Sequence, residues 1–173
     1  MLNMQVPLEF VQSRTALTWP EVEFGVRNGW LDPEDAVKIA MAEVDREPSP
    51  SADVLELASV LPRERGRVPE LIERLGRSGG LVSRDKWLYL LLDWVYCNRS
   101  ALTDAFQVVE EIYATFDYPD EISSFVRYMP AKDPAHAGEK PMLNAWRQYL
   151  DRQRSIFGHS SGAADGRFSG SIR

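Results

Sequence analysis

A chain of 173 residues with 26 acids, 20 bases and a net charge of −6 is long enough to bury a sizeable core without metals or disulfides. Its acidity argues against non-specific binding to nucleic acid, and its one cysteine, Cys97, excludes intrachain disulfides and cysteine-rich zinc sites. The longest apolar run, WLYLLLDWVYC at 87–97, is broken by Asp93 and falls far short of the ~20 residues of a membrane span; with no secretory pattern in MLNMQVPLEF, a soluble, cytoplasmic protein is expected.

Apolar residues recur at helical spacing along most of the chain. Thr18 precedes WPEVEFGVRNG, with Pro20 and Glu21 in the first turn. Asp32 opens DPEDAVKIAMAEV with a proline at the first helical position, and Val37, Ala40, Met41 and Val44 form its stripe. A cap oxygen satisfies free backbone N–H groups, and first-turn acids suit the helix dipole. Ser51 caps a helix to Leu61, with Val54, Leu57, Ala58 and Leu61 inward. Val68, Leu71, Ile72 and Leu75 mark another, from Val68 to Arg77, which Gly79-Gly80 ends with a left-handed turn.

Ser83 starts a helix through Cys97 that is apolar nearly all round. Such a helix is buried among others, so it belongs at the centre. Ser100 or Thr103 begins a helix carrying Phe106, Val109, Tyr113 and Phe116 on one face. A last helix covers Pro141 to Phe157, after an exposed loop AKDPAHAGEK at 131–140. The expected fold is all-α: one irregular domain of about eight helices over residues 1–157, built around the 83–97 helix. The stretch GHSSGAADGRFSGSIR at 158–173 is expected to be a flexible tail.

Little points to catalysis. His136 and His159 lack metal-ligand spacing, and Cys97 reads as a small core residue rather than a reactive thiol. RSGGLVS and GRFSGS lack the arrangement of a phosphate loop. Glu110, Glu111, Asp117, Asp120 and Glu121 are close in sequence, and carboxylates of this kind can do acid–base work or hold magnesium. No cofactor is expected.

Charge is distributed in blocks: −7 over residues 1–61, +3 over 62–99, −5 over 100–130 and +3 over 131–173. The two acidic blocks are either solvated surface or a face for a basic partner. Within the second lies FDYPDEISSFVRYMP, residues 116–130. Asp117 as cap, Pro119 and Asp120 in the first turn, an inward row of Ile122, Phe125, Val126 and Met129, and Pro130 as stop predict an amphipathic helix. Tyr118, Arg127 and Tyr128 are left over; they are docking anchors or polar-tipped covers of the core.

LTWPEVEFGVRNGWLDPEDAVKIA, FDYPDEISSFVRYMP and NAWRQYL together resemble an uncharacterised bacterial family of small acidic helical proteins, over about residues 8–152. Proteins of that character are similar to the immunity proteins of toxin systems. That similarity implies a non-catalytic binder of one cognate toxin domain, such as a basic nuclease. On this reading Glu21, Glu23, Asp32, Glu34, Asp35, Asp117, Asp120 and Glu121 stand in for phosphates, and Tyr118, Arg127 and Tyr128 anchor the contact. The alternatives are an assembly module self-associating through Trp19 or Trp30, and a magnesium enzyme using the carboxylates.

Overall fold

The computed structural model describes residues 2–131, 133, 135 and 137–158. Over those residues it is all-helical, with eight α-helices: α1 Leu8–Arg14, α2 Trp19–Arg27, α3 Pro33–Arg46, α4 Ala52–Ala58, α5 Val68–Gly76, α6 Arg84–Asn98, α7 Ala105–Thr115 and α8 Glu139–Phe157. Two 3₁₀ turns, Pro62–Arg67 and Asp120–Phe125, complete it, and no strand occurs among the described residues. The expected tail at 158–173 and both histidines lie outside the described residues, save Gly158.

Local chemistry sets most boundaries. The Thr18 hydroxyl accepts from the Glu21 N–H while the Glu21 carboxylate accepts from the Thr18 N–H, a reciprocal cap for α2. Asp32, Ser51 and Ser83 accept first-turn N–H groups of α3, α4 and α6. For α7 the cap is Asp104, which accepts from Gln107 N–H at 3.1 Å, so neither Ser100 nor Thr103 starts that helix. The α4 helix stops at Ala58, and Pro62 restarts the chain as a 3₁₀ turn. Likewise α5 ends at Gly76, ahead of Gly79 and Gly80, whose φ of +112° and +109° shape the following loop.

The sequence around 116–130 is not the α-helix its periodicity predicts. Asp117 and Tyr118 both take left-handed backbone, φ +62° and +60°, so Asp117 cannot cap a helix. Only Asp120–Phe125 is helical, as a 3₁₀ turn, and Val126 is extended. Three residues per turn keeps Ile122 and Phe125 in line, and the extended step then turns Val126 inward. The pattern of buried residues is thus satisfied by a different backbone.

Helix α6 is the hub. Trp87 through Leu92 and Val95 are all buried, and truncating any of its leucines to alanine would cost roughly 2–5 kcal/mol. On one side it meets α1, α7 and α8; α8 and α7 also pack on the Asp120–Phe125 turn. The remaining helices form a second layer, α2 on α5 and α3 on α4, with α5 touching α3 and α4. Trp87 joins the two. Its indole N–H donates to the Glu21 carbonyl at 2.9 Å, and its ring fills the notch left by Gly25, where a Cβ would stand 2.2 Å from the ring.

A carboxylate lies inside the core at the middle of α6. Asp93 is 1% exposed, accepting from Arg14 Nε at 2.6 Å with Arg154 at 3.8 Å. The first and last helices thereby converge on α6. Cys97, one turn on, is exposed rather than a core residue. Partial burial and Asp93 push its thiol up, which keeps it a poor nucleophile.

Candidate docking surface

The acids proposed from sequence fall into three structural situations. Glu21 is buried, so it is no part of an exterior face: it caps α2, pairs with Lys86 Nζ at 2.8 Å and accepts from Ser83 N–H at 3.3 Å. Glu23, Glu34 and Asp35 are each paired within the chain, with Arg27, Arg65 and Lys38. Asp32 is occupied as the α3 cap. Four of these acids stay near the surface, but with their charges answered locally or their oxygens in use.

The second acidic segment is different. It begins with the Asp117–Tyr118 turn, where two consecutive non-glycine residues sit in left-handed backbone. Residues held this way cost about 1–3 kcal/mol each and persist only where surroundings impose them. Here the surroundings are identifiable. Tyr118 N–H donates to the Tyr113 carbonyl at 2.9 Å, closing the end of α7. Phe116 is buried against Trp30, rings stacked with centroids 5.4 Å apart. Arg84 donates to Asp117 at 3.1 Å while its guanidinium lies over the Phe116 ring.

That turn places a tyrosine where a regular helix would not. Tyr113 is 3% exposed, whereas Tyr118 and Tyr128 are 60% and 56% exposed. Both outer rings stand on the buried one: Tyr118 edge-on at 5.3 Å, Tyr128 tilted at 6.0 Å. Partial desolvation and the neighbouring Tyr113, Tyr118 and Glu110 push the Tyr128 hydroxyl up. Arg127, between these features, is fixed by Glu110 at 2.9 Å and by Asp104 at 2.8 Å. The Arg127 hydrogen bond holds the Asp104 carboxyl below the usual carboxylate range. Two exposed rings, a clamped guanidinium and the acids Asp117, Asp120 and Glu121 therefore share one short segment.

The Trp30–Phe116 stack joins side chains of the two acidic segments, two residues before Asp32 and one before Asp117. No arginine or lysine pairs with acids of both segments among the described residues. Trp30 is buried and Trp19 donates to Glu43 at 2.9 Å, so Trp30 supplies no surface for self-association. Among the described residues no three or more His, Cys, Asp or Glu side chains are grouped to hold a metal ion, and no helix is long and apolar enough to cross a membrane.

Sequence reasoning missed Asp104 and Glu110 as the clamp on Arg127. The signal available was a lone base in a block of six acids, which must find a carboxylate. A family model described as "Uncharacterized protein conserved in bacteria (DUF2247)" matches residues 8–154; the chain belongs to that family. No curated protein and no solved structure matches it.

Proposed function

We propose that this member of the family is a stoichiometric binding protein, most concretely a bacterial immunity protein. It acts in the cytoplasm, occludes a cognate toxin domain such as a basic nuclease, and makes or breaks no bond itself. The observation that carries the reading is the Asp117–Tyr118 turn: strained backbone holding exposed aromatic rings beside a clamped arginine. Strain of this kind clusters at functional sites, and Tyr and Arg dominate the buried centres of protein interfaces. The surrounding net charge of −5 over residues 100–130 suits a basic partner and would speed encounter.

The test starts from the neighbouring genes, one of which should encode a toxin-like domain, and co-expresses that domain with the protein. Wild type should protect growth and co-purify with that domain. Tyr118→Ala with Tyr128→Ala should abolish both, while Glu23→Ala with Asp35→Ala should not. Full protection by the double tyrosine variant overturns the assignment of the surface.

A second reading, an assembly module, has one observation in its favour. A cleft of about 490 Å³ between α3 and the Pro62–Arg67 turn is lined by Val37, Met41, Val60 and Val68, with Met41 exposed at its edge. A mass rising with concentration, and returned to monomer by Met41→Lys, would favour it.

A further inference from the structure

The distribution of arginines over aromatic rings says what the tyrosine surface lacks. Among the described residues four rings carry an arginine of the chain's own: Phe10 has Arg14 at 4.5 Å, Tyr96 has Arg99 at 4.2 Å, Phe24 has Arg27 at 5.6 Å and the buried Phe116 has Arg84 at 5.7 Å. Tyr118 and Tyr128 are more exposed than any of them, and among the described residues neither has such a cover. Arg127 is close in sequence but unable to supply it, because its Nε and one terminal nitrogen are held by Glu110 and Asp104.

We propose that the faces of Tyr118 and Tyr128 seat an arginine side chain of the protein partner. The inference rests on the docking reading above and names the chemistry of what docks. A ring face is the negative part of its quadrupole, so a cation over it is attracted. Guanidinium is the better fit than ammonium: it is planar, stacks on rings and gives up hydration water more readily. The surrounding segment is acidic as well, −5 over residues 100–130. Within it Glu111, Asp120 and Glu121 are exposed and make no ion pair among the described residues, leaving negative charge for an incoming cation. The buried Tyr113 ring beneath limits how far either outer ring can collapse when the site is empty.

The experiment uses the full chain with ¹³C-labelled tyrosine rings, titrated with N-acetyl-arginine amide and, separately, with its uncharged isostere N-acetyl-citrulline amide. The Tyr118 and Tyr128 ring resonances should move saturably with the arginine probe and respond about fivefold more weakly to citrulline. Tyr118→Phe and Tyr128→Phe, made singly, keep a ring face and should keep the response at the tyrosine that remains. Tyr118→Leu with Tyr128→Leu should erase the arginine-dependent shift of the Tyr113 ring beneath, while the remaining tyrosine signals stay folded. Equal responses to the two probes overturn the proposal on the wild-type protein alone, whatever the variants do. That failure, with growth protection still lost in the double alanine variant, would remove the cation and leave the docking surface. Intact protection in that variant removes the docking surface, independently of the titration.

Discussion

Asp93 and Arg127 are each the centre of a carboxylate–guanidinium cluster, and the two clusters have opposite consequences. Asp93 is one acid between two arginines, out of water, on the helix that every layer touches. Arg127 is one base between two acids, at the surface, beside a strained turn. Attraction between opposite charges is strong where solvent is excluded, and a buried charge left alone is costly; near the surface water supplies the missing partner. The same pair of groups therefore fixes architecture in one place and merely orients side chains in the other.

Four measurements would break or sharpen this contrast. Arg14→Ala with Arg154→Ala leaves the buried Asp93 carboxylate without a guanidinium and should lower unfolding free energy by about 3 kcal/mol in urea denaturation; a loss like that of ordinary surface arginines would end the distinction. Gly25→Ala drives a methyl into the Trp87 ring, and overpacking there should cost roughly 2 kcal/mol, with a shift in Trp87 fluorescence. At the other pole, Asp117→Gly relieves a left-handed residue at a position 80% exposed at its side chain. Stability should rise by about 0.5 kcal/mol even though the Arg84 contact is lost; a fall would mean the turn is not strained.

The smallest effect is the pH dependence of the Arg127 cluster. Arg127 depresses the folded pKa of Asp104 below its ordinary value, so this contribution is fully present above the unfolded pKa, roughly pH 4. It is lost as pH falls through the depressed folded value. Arg127→Gln should therefore lower the thermal midpoint slightly near neutrality and not at all in strong acid. A difference that persists in acid would point to packing rather than charge.

How much of this was legible depended on whether the signal was local. Thr18, Asp32, Ser51 and Ser83 announced their helices because a cap acts on N–H groups two or three residues away. The all-round apolar run at 87–95 announced a buried α6 for the same reason: its own side chains are the signal. Helix α1 escaped, since Pro7 precedes it without a side-chain cap. The left-handed pair at 117–118 carried no glycine to betray it, and the spacing of Ile122, Phe125 and Val126 suits a 3₁₀ turn and an extended step as well as an α-helix. Glu21 resembled every other first-turn acid; the Ser83 and Lys86 groups that engage it lie 62 and 65 positions away.

The Arg14–Asp93–Arg154 contact also sets how the molecule comes apart. Helices α1 and α8 hold the same carboxylate from opposite ends of the chain, so release of either leaves Asp93 one guanidinium, and release of both leaves it buried and alone. Once one of the two helices has frayed, the other should consequently be harder to open, and its amide protons slower to exchange with solvent.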